Sequence, residues 1–240
     1  MDKLTLYAKV VWAAVCSGST RSFYDRISDI YDHVFTDHIT HANNIADLLS
    51  IFRPLAGKGL ALDLGCGTGL VSKGLIERGF HVIGLDMSFR SLKVLQRNQQ
   101  RVIMMQGNME HLPFKNDSVD AISCLGVWRH LKNPEIVVAE VSRVLGKTGA
   151  FALGYFPPKL GGLFYVNNTS SLGRLLALMY SHFVRLMGYN DQVRRCFEEN
   201  TLQLLYNRFE NVHKVQSGEH SYLIVASGRK SLSRNFIGVQ

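Results

Sequence analysis

In LDLGCGTGL, residues 62–70, a carboxylate stands just ahead of three alternating glycines, Gly65, Gly67 and Gly69. Glycine reaches positive φ and lets a ligand approach the main chain closely. A tight turn needs one such residue, so three mark a binding loop. The spacing is G-x-G-x-G, and Leu70 holds the place of the third glycine of a dinucleotide fingerprint. No Gly-Lys-Ser/Thr follows, so the phosphate-loop pattern is absent. Asp63 opposes a pyrophosphate and suits a ligand with an ammonium or other positive charge. A second acid, Asp86, lies about twenty residues on, where a carboxylate can accept hydrogen bonds from both hydroxyls of a ribose. Met87 is an apolar residue placed to touch a base, and Ser88 supplies the cap of the next helix.

The surrounding pattern is strand and helix in alternation. Strands are expected at 60–65, 81–86, 101–107, 119–126 and 149–156, with helices at 70–78, 89–98 and 134–145. The strands are nearly continuous apolar runs, as strands covered on both faces are. This is an α/β pattern with a parallel sheet between layers of helices. A helix at 198–208 and a strand pair at 211–217 and 220–227 follow, and residues 231–240 read as a loose tail. Ahead of the first strand, residues 21–50 read as helix. Between the fifth strand and the late helix lies an insertion, 157–197. There Leu172, Leu175, Leu176, Met179, Phe183, Leu186 and Met187 share one helical face opposite Arg174 and Arg185. It reads as a packed helix, a substrate lid or a membrane-touching helix.

The chain has 240 residues, 46% hydrophobic and 19% charged, a composition for one sizeable domain rather than a disordered chain. Its net charge of +8 suits a nucleic acid, an anionic membrane surface or an acidic substrate, or is a solvated basic surface. Cys16, Cys66, Cys124 and Cys196 have neither zinc nor disulfide spacing and read as reduced thiols of a cytoplasmic protein. Residues 1–20 are apolar and form their own segment, LTLYAKVVWAAVC, too short to span a bilayer and interrupted by Lys9. A docking helix, a helix lying on a membrane surface and a signal peptide are the readings weighed.

LDLGCGTG, GLDMS, GNMEHLPFKNDSVDAISCLGVWRHLKNP and EVSRVLGKTGAFAL together resemble the class I S-adenosylmethionine-dependent methyltransferases, in the branch that acts on quinones, sterols and other small molecules. The resemblance covers residues 21–156 and resumes at 198–228. It implies a doubly wound, Rossmann-like seven-stranded sheet with the last strand antiparallel, within a single domain at 21–230. It implies S-adenosyl-L-methionine as donor and no metal. It assigns Asp63, Gly65, Cys66 and Gly67 to the methionine end, Asp86 to the ribose and Met87 to the adenine. The acid that usually follows the third strand is replaced by Asn108 and Met109, which would reach the adenine by a side chain and by the backbone. Leu125 would line the cleft beside the sulfonium. FYDRISDIYD looks like the helix covering the donor, with Tyr24 and Tyr31 as its contacts. The loop GVWRHLKNP would face the acceptor, with His130 as the candidate base and Trp128 and Arg129 as acceptor contacts.

The sequence lacks the Asn/Asp-Pro-Pro-Tyr of base amino-methylation, and Cys124 has no neighbouring proline to mark it as a cytosine C5 nucleophile. Three readings remain. One is a methyltransferase for a small apolar acceptor such as a quinone, lipid or ring compound, with peripheral membrane contact. Another is an RNA or protein methyltransferase, favoured by charge alone. The last is an inactive donor-binding scaffold.

Overall fold

The computed structural model describes residues 3–35, 45, 47–52, 59–155, 191–217 and 221–230. The expected helix at 172–187, most of the insertion and the tail lie outside them.

Seven strands form one sheet: β1 Leu60–Leu64, β2 His81–Asp86, β3 Ile103–Gln106, β4 Val119–Leu125, β5 Leu145–Tyr155, β6 Phe209–Ser217 and β7 Ser221–Arg229. Their order is β3-β2-β1-β4-β5-β7-β6. The first five run parallel, and β7 is antiparallel to both β5 and β6. The order reverses at β1, which has β2 on one side and β4 on the other. The chain leaves these strands in opposite directions, so a crevice opens at the carboxyl ends of β1 and β4.

Helices cover the sheet: α1 Lys3–Val15, α2 Thr20–Ile27, α3 Tyr31–Phe35, α4 Leu70–Glu77, α5 Phe89–Asn98, α6 Pro134–Val144 and α7 Asp191–Arg208. One core layer joins Leu62, Leu64, Ile122 and Phe151 to α6 and α7. A second joins Leu75, Leu92, Leu95 and Val82 to Leu48 and Phe52. In the N-terminal segment, Val10, Ala13 and Ala14 of α1 bury against Phe23, Ile27 and Ile30. No helix among the described residues is long and apolar enough to cross a membrane.

Several boundaries differ from expectation. The helix expected over 21–50 breaks after Ile27, where Ser28 turns its hydroxyl back to the Asp25 carbonyl and the amide of Ile30 reaches the carbonyl of Ile27. Short polar side chains compete in this way for helical backbone. Strand β5 begins at Leu145, directly after α6, because Leu145 pairs with Val119 across a bulge. Helix α7 begins at Asp191, inside the stretch read as insertion. Between β3 and β4 the chain has no strand or helix of its own. Arg143 holds it by donating to the carbonyls of Leu112 (2.8 Å) and Phe114 (2.7 Å) while paired with Glu140. That pairing holds the Glu140 carboxyl below its usual range.

Trp128 requires a correction. Read as an acceptor contact, it is a core residue, 1% exposed, packed on Phe151, with its indole N–H donating to Thr201 Oγ1 at 2.9 Å. Its ring fixes α7 to the turn after β4. Trp128→Ala is expected to cost about 3–5 kcal/mol. Trp128→Phe keeps most of the packing and should lose on the order of 1 kcal/mol for the hydrogen bond beyond its smaller ring. Denaturant unfolding of the two variants checks this ordering.

Candidate functional site

The glycine loop joins β1 to α4, and all three glycines have positive φ: 67° at Gly65, 53° at Gly67 and 94° at Gly69. They serve different ends. A Cβ at Gly65 would strike the side chain of Val127, and one at Gly69 would strike Leu95. A Cβ at Gly67 would meet nothing within 4 Å. Two glycines therefore let the loop press against its neighbours, and the third faces open space. Tyr31, Asp63, Gly65, Gly67, Thr68 and Leu125 line the crevice there.

Asp63 is 2% exposed at the end of β1. Ser72 Oγ donates to one carboxylate oxygen at 2.6 Å and Ser123 Oγ to the other at 2.8 Å. Burial dominates these bonds and pushes the Asp63 carboxyl up to about 6. Asp86 lies at the end of β2. Its Oδ2 accepts the N–H of Gly67 at 2.9 Å and its Oδ1 the N–H of Ser88 at 2.7 Å. Asp86 thus ties the glycine loop to the loop after β2, and burial pushes its carboxyl up as well. Ser88 caps α5 by accepting the N–H of Ser91, which leaves Asp86 free of that duty. Met87 is half exposed beside it.

The other expected residues are placed as follows. Cys66 is buried behind the loop, and burial pushes its thiol up. Cys124 is fully buried and its thiol is likewise pushed up, so it is no thiolate nucleophile. Asn108 Oδ1 accepts the N–H of Glu110 at 3.0 Å, and its amide nitrogen lies 3.4 Å from Glu110 Oε2. The Met109 side chain is in the core, which leaves only its backbone for a ligand. Tyr24 and His130 come together: Tyr24 Oη and His130 Nε2 are 3.0 Å apart. Tyr24 also packs against Tyr31, with ring centroids 6.1 Å apart. Arg129 lies in the short 3₁₀ turn Trp128–His130, and its side chain falls outside the described residues. Among the described residues no group of three His, Cys, Asp or Glu could hold a metal.

Sequence reasoning missed Ser72 and Ser123, whose hydroxyls support Asp63. It also missed Asp25, Asp32 and Thr68, which connect the N-terminal helices to the crevice loops. A serine in an otherwise apolar strand, as in AISCL, was the available signal for Ser123.

Known proteins match this arrangement. Residues 62–153 match the family described as "Methyltransferase domain". The ubiquinone biosynthesis O-methyltransferase of Dechloromonas aromatica is 35% identical over 103 residues, 40% of this chain and 43% of that protein. The demethylmenaquinone methyltransferase of Clavibacter sepedonicus is 30% identical over 151 residues, 59% of this chain and 60% of that one. The chain thus spans less than two thirds of the length of these relatives. A TehB-like S-adenosylmethionine-dependent methyltransferase from Corynebacterium glutamicum has the same fold, with a TM-score of 0.52 at 15% identity, over 84% of this chain and 97% of that one. The chain shares the fold of that solved structure, and its similarity to the family covers residues 62–153. S-adenosylmethionine is the donor in the name of that solved structure. The residues present fit that donor: Gly67 leaves room at the backbone, and Asp63 offers a carboxylate whose described hydrogen-bond partners are hydroxyls rather than a cation.

The raised Asp63 value has a definite sign. A folded-state value near 6 against 3.8 means the group favours folding fully below 3.8, and that contribution is lost as pH rises through 6. The loss is about 3 kcal/mol at 1.36 kcal/mol per unit. A ligand ammonium beside Asp63 favours the ionised form and offsets this. S-adenosylhomocysteine, which carries the same ammonium, should therefore bind up to about 30-fold tighter at pH 7 than at pH 4.5. Calorimetric titrations across that range check it, and Asp63→Asn should flatten the profile.

Proposed function

We propose that this protein transfers a methyl group from S-adenosylmethionine to a small, largely apolar acceptor such as a quinone, lipid or ring compound. The observation that carries the reading is a pair of carboxylates, the buried Asp63 and the half-buried Asp86, on either side of a loop that is open at Gly67. The quinone-related names of the two relatives support the acceptor class.

The donor supplies a methyl group already activated on a sulfonium. The chain has to bind it, aim it and keep water away. Asp63 would hold the amino group, and the backbone of Gly65, Cys66 and Gly67 would meet the rest of the methionine end. Asp86 has both oxygens on backbone N–H groups, which fixes the carboxylate in place, and its remaining lone pairs are suited to the ribose hydroxyls. Met87 would flank the adenine, with Asn108 and the backbone of Met109 near its edge. Leu125 and Tyr31 line the crevice and would flank the reacting end. Holding the reactants in line can contribute roughly 7–11 kcal/mol. If the acceptor must lose a proton, His130 is the residue to take it, worth about 10²–10⁴-fold. Arg129 would then meet a polar group of the acceptor.

Calorimetric titration with S-adenosylmethionine, with NADH as control, tests the donor. Micromolar binding of the first alone is the expected result, and binding of NADH alone would overturn the reading. Asp86→Ala should weaken donor affinity by about 10–100-fold, the loss of charge-assisted bonds of 1.5–3 kcal/mol. Unchanged affinity in that variant would remove Asp86 from the site.

A further inference from the structure

Three side-chain hydrogen bonds run from the N-terminal helices to three different strand-end loops. From α2, Tyr24 Oη meets His130 Nε2 at 3.0 Å, in the turn after β4. Also on α2, Asp25 Oδ1 accepts the hydroxyl of Ser88 at 2.6 Å, in the loop after β2. From α3, Asp32 Oδ1 accepts the hydroxyl of Thr68, in the glycine loop. The partners are between 36 and 106 residues apart in sequence, so these contacts exist only in the assembled fold. Two of the three end on loops assigned to the donor. The third ends on the residue assigned to the acceptor.

We propose that Tyr24 is a positioning residue for His130, and that α2 and α3 relay donor occupancy to the turn holding that histidine. This rests on the donor site proposed above. Hydroxyl-to-carboxylate bonds are charge-assisted and strongly directional. Asp25 and Asp32 therefore follow Ser88 and Thr68 when a ligand orders those loops. Tyr24 neighbours Asp25 on α2, and its ring lies against Phe23 and Tyr31 at 5.3 Å and 6.1 Å. Ordering the helices thus orders the phenol. Its hydroxyl fixes the rotation of the His130 ring, whose plane stands at 80° to it with centroids 5.6 Å apart. A histidine so held is in place when the donor is bound and less constrained when it is not.

A shorter route exists through the packing of Val127 on Gly65. Tyr24→Phe separates the two, because it removes the hydroxyl, keeps the ring and leaves Val127 untouched. Amide hydrogen exchange of the full chain, with and without saturating S-adenosylhomocysteine, is the measurement. In the unaltered protein the ligand should slow exchange about tenfold or more over both 65–70 and 126–131. In Tyr24→Phe the slowing over 65–70 should persist, while that over 126–131 should fall to about threefold or less. Asp25→Asn cuts the relay at its donor end and should act in the same direction. Equal protection of 126–131 in Tyr24→Phe and the unaltered protein would overturn the relay. So would protection of 65–70 without any over 126–131 in the unaltered protein. Absence of protection over 65–70 in the unaltered protein would instead withdraw the donor site, and the relay with it.

Discussion

The desolvation of Asp63 constrains everything built around it. Burying a carboxylate is unfavourable unless hydrogen bonds or a cation compensate. Ser72 and Ser123 do so only in part, since the carboxyl is still pushed up to about 6. The group can sit there because β1 is the strand at which the sheet order reverses, so its end opens into a crevice. A second, half-buried acid, Asp86, adds repulsion. The free site is thus short of positive charge. This is electrostatic preorganisation with a definite sign: it attracts a cationic ligand, and it would repel a phosphate at the same place.

Asp86 adds geometric control. By accepting an N–H from each of two loops it joins the end of β1 to the end of β2. The glycines make that junction possible. At Gly65 and Gly69 the neighbouring side chains leave no room for a Cβ, so the loop can lie against Val127 and Leu95. Backbone, rather than long flexible side chains, then frames the open space at Gly67.

How much of this was legible in the sequence depended on the range of the interaction. Strands β2 and helix α5 were readable to the residue because their signals are local: an apolar run, a capping serine, a periodic face. The carboxylates and the glycine loop were readable because their spacing is itself the signal. Trp128 was misread because its role depends on Thr201, far along the chain. An indole in a loop near a cleft looks the same in sequence whether it faces inward or outward. The early start of β5 was hidden for a similar reason: it requires pairing with Val119. The Tyr24–His130 contact spans 106 residues and no local pattern announces it.

The N-terminal helices show how these ranges combine. Their apolar faces are local and pack α1 on α2. That packing gives the segment cohesion and does not by itself place it over the crevice. The polar contacts of Tyr24, Asp25 and Asp32 do so. Apolar contacts tolerate sliding, because they depend on area more than direction. Hydrogen bonds from two carboxylates and a phenol do not, because they weaken steeply with misalignment. A cover held only by burial could settle in several registers. One pinned at three loops has a single seated position, and that position puts the phenol of Tyr24 on His130. The directional bonds, few as they are, therefore decide where the covering segment acts, while burial decides only that it stays folded.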